Sequence, residues 1–421
     1  LRRPTRFGKV SPFATVPSEL ILNEAGAGPL AGIKVLELGT LIAGPLCSRM
    51  LGDFGAEVIK IEAPESGDQL RQWRKMYQGT SLWWYTQARN KKSVTLNLRS
   101  PEGQEIVRKL AAEADVVVEN FRPGALEKWN IGWPQLSAVN PRLVMVRLSG
   151  FGQDGPYRDR PGFGVVAESM GGMRYVTGYP DRPPVRLGIS IGDSIAALHG
   201  VIGAMMALHQ RNVNGGKGQY VDVALYEAVF NMMESLIPEF DVLGFKRERA
   251  GNELPGITPS NTYPTRDGKF VIIGANNDSI FKRLMTAMGR GDLANDATLA
   301  TNDGRAPRAR ELDYAIELWT REHDLDALLD ALERAEVPSG RVYDAEDIVN
   351  DPHYAARKML EQWKLPDGTP MKIPGIVPKL SVTPGETRWL GAKLGEHNAE
   401  VLTRLGYDDS QQEALKARGV I

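Results

Sequence analysis

Asp193 is the residue best placed to do covalent chemistry. It follows Ile189-Ser190-Ile191-Gly192 and precedes a long apolar segment, Ser194 to Gln210, inside the stretch Pro183 to Arg211. An Asp at such a place predicts a helix that starts there, because its carboxylate accepts a bond from a free first-turn N–H and suits the helix dipole. Most Asp residues of this kind only cap. The same carboxylate, partly withdrawn from water yet held by directed donors, is also a nucleophile able to attack an acyl group. Both roles fit the local pattern. Gly192, Ala196, Ala197, Gly200, Gly203 and Ala204 keep the segment slim, so another backbone is expected to lie close against it.

The other reactive residue types are sparse. The single cysteine, Cys47, excludes an intrachain disulfide and a Cys-based zinc set. The five histidines are scattered, and His199 and His209 are too far apart for adjacent helical turns, so no metal is expected. With 51 basic and 52 acidic residues and a formal charge of -1, a broad electrostatic surface for nucleic acid is not expected. A composition that is 42% hydrophobic suits a soluble enzyme, and no run of 18 apolar residues marks a membrane span.

The elements that must position Asp193 alternate. Strands are predicted at Ile33–Leu38, Glu57–Glu62, Asp115–Glu119, Leu143–Leu148 and Gln219–Ala224, and helices at Pro45–Phe54, Pro101–Ala114, Trp133–Val139 and Tyr226–Leu236. That order means an α/β fold with a mostly parallel sheet covered on both faces. A nucleotide-binding fold follows as a class, but neither G-x-G-x-x-G after the first strand nor a P-loop is present, so nicotinamide and P-loop chemistry lose support. Residues 150–184, rich in Gly, Pro, Arg and Asp, read as loops that carry sites.

Five segments result: an N-terminal extension at 1–29, the first part of a large domain at 30–237, a linker at 238–264, a smaller domain at 265–343, and a return to the large domain at 344–421. The extension carries Arg2, Arg3, Arg6 and Lys9 with no acid before Glu19. It reads as a surface arm in a cytoplasmic protein, or as the remnant of a transit peptide to the mitochondrial matrix.

Several motifs together resemble the class III CoA-transferases, which share a superfamily with alpha-methylacyl-CoA racemase. They are LAGIKVLELGTLIAGPLCSRMLGDFGAEVIKIE from Leu30, NKKS at Asn90–Ser93, VVVENFRPGALEKW at Val116–Trp129, SGFGQDGPY at Ser149–Tyr157, GDSIAALHG at Gly192–Gly200 and LGEHNAEVL near the end. The resemblance implies a Rossmann-like large domain formed by both chain ends, a smaller α+β domain, and an interlocked dimer, homomeric or with a paralogue. It places the nucleophile at Asp193, which attacks an acyl-CoA thioester through anhydride and aspartyl-CoA intermediates. Coenzyme A enters as substrate, and no prosthetic group is implied.

By the same resemblance Ile42, Ala43, Lys91, Lys92, Asn120, Phe121, Ala125 and Lys128 bind CoA, the two lysines through phosphate, with Arg71 and Arg74 as weaker additions. From charge alone the two lysines fit a solvated turn equally well. The racemases pair the Asp with a His in a G-H-D triplet, and here the triplet is Gly162-Phe163-Gly164. Without that His one proton-transfer group is missing, which disfavours racemisation. An intact Asp193 likewise disfavours a non-catalytic CoA-binding protein. Ile42 replaces the Gln of formyl-CoA transferases and the small-domain glycine run is absent, arguing against oxalate. Pro184-Val185-Arg186 resembles members that act on succinyl-type esters. Arg186 and Arg174 are therefore expected at the distal carboxylate of a dicarboxylate, since a guanidinium matches a carboxylate bidentately, although a surface Arg on a loop is the equal alternative for Arg186.

Overall fold

The computed structural model describes residues 28–421. Most of the N-terminal extension, 1–27, lies outside the described residues, and with it the basic arm. The large domain is built on a six-stranded sheet: β1 Lys34–Glu37, β2 Glu57–Glu62, β3 Lys91–Thr95, β4 Val116–Glu119, β5 Val144–Ser149 and β6 Gln219–Ala224. Every neighbouring pair is parallel, and the spatial order is β3-β2-β1-β4-β5-β6. The order reverses between β1 and β4. In open parallel sheets a crevice opens at that point, beyond the carboxyl ends of the strands.

Alternation along the strands explains the two-sided cover. Val35, Val58, Val116, Val118, Val144 and Val146 face one core, and Leu36, Ile59, Ile61, Val117 and Met145 face the other. The first core is closed by α1 (Ala43–Asp53). The second is closed by α2 (Pro101–Glu113), whose Ser100 cap and leading Pro101 start it where the sequence predicts, and by α3 (Trp133–Val139). Between β5 and β6 run α4 (Gly164–Met170) and α5 (Ile191–Asn214).

Helix α5 lies tightly on the first core because its small residues leave no room for anything larger. A Cβ at Gly203 would stand 2.4 Å from Val221, and one at Gly200 would stand 3.2 Å from Cys47 of α1. Its outer face carries Leu198, Ile202, Met205, Met206 and Val213, all exposed. At 24 residues it is longer than the segment predicted, and it begins at Ile191.

After α6 (Leu225–Phe230) the predicted helix to Leu236 breaks, and α7 (Leu236–Leu243) follows, running into the stretch assigned as linker. The linker reading also ends too late. Strand β7 (Ser260–Pro264) pairs antiparallel with β8 (Phe270–Gly274), which pairs with β9 (Ser339–Arg341), so the small domain begins before residue 265. Tyr263 on β7 is 2% exposed in a core closed by α8 (Asp278–Ala287), α9 (Ala309–Thr320) and α10 (Leu325–Arg334).

The chain then returns to the large domain. Val401 and Leu402 of α11 (Asn398–Arg404) and Leu415 of α12 (Asp409–Ala417) join the second core. The LGEHNAEVL segment covers β3, an edge strand: Ser93 N donates to His397 Nδ1 at 3.2 Å, His397 N to the Ser93 carbonyl at 3.0 Å, and Thr95 N to Asn398 Oδ1 at 2.8 Å. An edge that would otherwise expose unpaired backbone groups is thereby closed.

Candidate active site

Two loops meet where the strand order reverses, Gly39–Ile42 after β1 and Asn120–Pro123 after β4. The Asn120 amide ties them together, accepting from Thr40 N at 2.8 Å and donating to the Thr40 carbonyl at 2.9 Å. Gly39 makes this possible, since a Cβ there would stand 2.8 Å from Asn120 Oδ1. Leu41 sits at φ 65°, a left-handed conformation costly for a branched side chain. Its N–H is held by Asp68 at 3.0 Å.

Behind the first loop lies a buried charge network. Lys60 Nζ bonds Glu37 at 2.7 Å, Asp68 at 2.8 Å and the Gly39 carbonyl at 2.9 Å. Lys91 Nζ bonds Glu37 at 2.7 Å and the Pro45 carbonyl at 2.6 Å. Burial brings Lys91 down to about 8 against the pull of Glu37. These groups fix the loop and the start of α1.

Asp193 enters from α5. It is the third residue of that helix and not its cap; Ser190 holds the cap position and makes no side-chain cap bond. The carboxylate fits into a notch left by α4. A Cβ at Gly164 would stand 2.2 Å from Asp193 Oδ2, so only glycine leaves it space. One turn further along α4, Glu168 is 2% exposed and accepts from Arg174 Nη2 at 3.1 Å. Burial, and after it Glu168, push the Asp193 carboxyl up to about 6, while Arg186 pulls the other way.

Asp193 opens onto a cavity of about 670 Å³ that runs from Thr40–Ala43 and Asn120–Pro123 to Phe163 and Leu225. Among the described residues five arginines line it, Arg74, Arg122, Arg158, Arg160 and Arg186, against one carboxylate, Asp193. A second cavity of about 540 Å³ shares Thr40 and Phe121 with it and is walled by Leu38, Ile61, Leu96, Leu98 and Trp129, with Arg99 and the carboxylates Glu62, Glu65 and Asp68 also in its lining. A larger cavity of about 720 Å³, between Lys269 and Pro352, is lined by the carboxylates Asp344, Glu346, Asp347 and Asp351 together with Lys269 and Arg341 and holds no residue of the Asp193 cluster. The sheet crevice is thus the candidate site: an ionisable carboxylate of raised affinity for protons facing a cationic chamber.

The model of CoA-transferase family III matches residues 30–398. The chain belongs to that family. It is 51% identical, over 93% of its length and 98% of the relative's, to succinyl-CoA–D-citramalate CoA-transferase of Chloroflexus aurantiacus. It is 42% identical, over 93% and 98%, to the beta subunit of succinyl-CoA–L-malate CoA-transferase of the same organism. A solved structure of a CAIB/BAIF family protein from Brucella suis superposes with a TM-score of 0.79 at 36% identity, covering 90% of this chain and all of that one.

Of the residues expected to act in this family III enzyme, Ile42, Ala43, Asn120, Phe121, Arg186 and Asp193 line the one cavity. Others lie elsewhere. Lys91 is 2% exposed and spent on Glu37, Lys92 bridges Glu57 at 2.9 Å and Glu400 at 2.6 Å, and neither lines the Asp193 cavity. Within NKKS Asn90 is in a turn, and Lys91 to Ser93 start strand β3. Arg174 pairs with Glu168 and does not line the cavity. Arg71 pairs with Glu62 at 2.8 Å and stacks over Trp84 at 3.8 Å. Ala125 and Lys128 sit on the turn of helix after the Asn120 loop and line neither cavity.

The reading of residue types missed Gly164, Glu168, Arg122, Arg158 and Arg160. Part of the signal was present: the stretch 150–184 is conspicuously rich in Arg, and Gly162-Phe163-Gly164 was already singled out as the altered triplet.

Proposed function

We propose that this enzyme moves CoA from succinyl-CoA, or a closely similar dicarboxylyl-CoA, to a second small dicarboxylic acid, with Asp193 as the nucleophile. The observation that carries the reading is Asp193 as the one carboxylate facing a cavity lined by five arginines. A site for anions as large as CoA esters and dicarboxylates needs that excess of fixed positive charge.

The chemistry follows from the arrangement. An Asp193 oxygen attacks the thioester carbonyl, the C–S bond breaks, and CoA leaves as the thiolate, giving a mixed anhydride. The thiolate attacks the aspartyl carbonyl, the donor acid leaves as carboxylate, and the acceptor carboxylate then reverses both steps. Holding thiolate and anhydride in one closed site replaces bimolecular encounters by effectively intramolecular ones. The shared wall at Thr40 and Phe121 supports a CoA that lies across both cavities, its base against Phe121 and Trp129, its phosphates towards Arg99, and its thioester at Asp193. Arg186 takes the distal carboxylate. The printed activities of the two Chloroflexus aurantiacus relatives support succinyl-CoA as donor and a C4 or C5 hydroxydicarboxylate as acceptor. Racemisation fits the site less well, because Phe163, 65% exposed, stands where a second proton-transfer group would be needed.

The working unit we propose is a dimer threaded through itself. Its support is the exposed apolar face of α5 together with the exposed Ile237, Phe240, Val242 and Leu243 of α7, large apolar side chains of the kind that mark interaction surfaces. The relatives named as alpha and beta subunits leave room for a paralogous partner.

Chromatography of CoA esters formed from succinyl-CoA and a panel of acids tests the function. Transfer to one or more dicarboxylates, lost in Asp193→Ala, is expected. Transfer to none of them, or full activity in Asp193→Ala, would refute it.

A further inference from the structure

We infer that Glu168, ion-paired with Arg174 beneath the first turn of α5, is a positioning residue that favours each covalent state of Asp193 over the free carboxylate. The inference rests on Asp193 being the nucleophile, as proposed above, and concerns a residue that touches neither CoA nor acid.

The geometry supplies three independent observations. First, Gly164 and Glu168 are four residues apart on α4 and so share a face. Gly164 receives the Asp193 carboxylate, and the Glu168 side chain lies against Gly192, where a Cβ would stand 3.3 Å from its Cγ. Second, Glu168 is 2% exposed, yet among the described residues only one of its oxygens has a partner, Arg174 Nη2 at 3.1 Å; Glu168 Oε1 and Arg174 Nε are both buried with none. A pair kept for stability alone would have its remaining lone pairs and N–H groups satisfied, because unsatisfied buried polar atoms are costly. Third, the other charges around Asp193 are all cations. Arg186 reaches it from the preceding loop, Arg74, Arg122, Arg158 and Arg160 line the far walls, and the α6 side presents apolar Leu225.

Those cations alone would hold Asp193 as a comfortable anion, and a comfortable anion is a poor nucleophile. Through the catalytic cycle Asp193 alternates between a charged carboxylate and a neutral acyl group, as anhydride or thioester. When its oxygen bonds the thioester carbon, the negative charge leaves for the CoA thiolate, and in the next step for the departing acid. A fixed negative charge one helical turn away is relieved by every such transfer. Glu168 thus raises the free Asp193 relative to its acylated forms, without itself accepting or giving up a proton or a bond. The rise in Asp193's proton affinity comes first from burial, and Glu168 adds to it.

The test compares the full-length wild type, Glu168→Gln and Glu168→Asp, each equilibrated with succinyl-CoA and succinate. Asp193-bound CoA is measured by intact mass, and kcat and KM are followed against pH. In Glu168→Gln the fraction of Asp193 carrying CoA is expected to fall about tenfold and the acid limb of kcat/KM to move down by about one pH unit, one unit being a tenfold change in the same equilibrium. KM for succinyl-CoA should stay within about twofold, and Glu168→Asp should restore most of the occupancy. Should Glu168→Gln fail to fold, the double change Glu168→Gln with Arg174→Met, which leaves no unpaired buried ion, carries the same expectations. Unchanged occupancy and an unmoved limb in a folded variant would overturn the inference while leaving the nucleophile intact. A wild type that turns over with no CoA on Asp193 would instead overturn the nucleophile reading, and the two failures are told apart by the wild-type spectrum.

Discussion

The Gly164 backbone touches the Asp193 carboxylate so closely that a single methyl group there would come within 2.2 Å of Oδ2. Nothing about glycine's backbone freedom is at stake, since Gly164 is an ordinary residue at the start of α4. The space alone matters. Gly164→Ala is expected to push the carboxylate off its position and lower kcat by about 100-fold or more, as misplacing a reacting group by an ångström does. Circular dichroism and melting temperature should stay near wild type, and a variant with full kcat would show that the notch is not needed.

Activity should fall as the medium is acidified through the Asp193 value of about 6, because only the carboxylate attacks. In kcat/KM against pH the acid limb is expected to bend there, with tenfold loss for each unit below. A limb centred near 4, the range of an ordinary Asp, would contradict the electrostatics described for α4 and α5.

The same raised value has a stability sign. A carboxyl that holds its proton more tightly when folded than when unfolded weakens the fold once ionised. The cost is absent below about pH 4 and fully present above about pH 6. Asp193→Asn should therefore stabilise the protein by about 1–2 kcal/mol at pH 8, discounted for partial exposure, and by little at pH 4.5. Chemical denaturation at the two pH values measures it. Equal gains at both would point to packing and not charge.

Lys91 and Lys92 should separate cleanly. Lys91→Met removes one partner of the buried Glu37 and is expected to cost about 3 kcal/mol in urea unfolding. Lys92→Ala breaks partly exposed pairs and should cost under about 1 kcal/mol. In neither variant that remains folded should KM for succinyl-CoA rise more than about twofold. A tenfold rise for Lys92→Ala would restore the phosphate contact that the geometry argues against.

Arg186→Ala should reduce kcat/KM with dicarboxylates about 10- to 100-fold, the worth of a charge-assisted bond, and spare monocarboxylates. Equal losses with both classes would assign Arg186 to the field around Asp193 and not to the distal carboxylate.

Much of this was legible in the residues. Val116–Glu119 is a nearly apolar run and Glu57–Glu62 carries Val58, Ile59 and Ile61, and a parallel sheet follows from the alternation of such strands with helices. Asp193 and the Asn120 loop were likewise found from their motifs. What escaped notice depends on distant partners. Lys91 reads as a surface cation until Glu37, 54 residues earlier in the chain, is seen to bury it. Strand β3 carries two lysines at its start and owes its place to β2 on one side and to His397 and Asn398 on the other. Asp193 looks like a cap because the helix start is set by Ile191 and Gly192 packing on α4, which no local pattern reports. Glu168 and Gly164 matter only through their shared face on one short helix.

The central claim, that Asp193 carries the acyl and CoA groups in turn, is tested most directly by mass spectrometry of the wild type quenched during turnover with succinyl-CoA, with and without hydroxylamine. A CoA adduct on the peptide containing Asp193, replaced by a hydroxamate when hydroxylamine is present and missing from Asp193→Asn, is the result expected. Steady turnover with an unmodified Asp193 peptide, or the same adduct on another residue in both proteins, would contradict it.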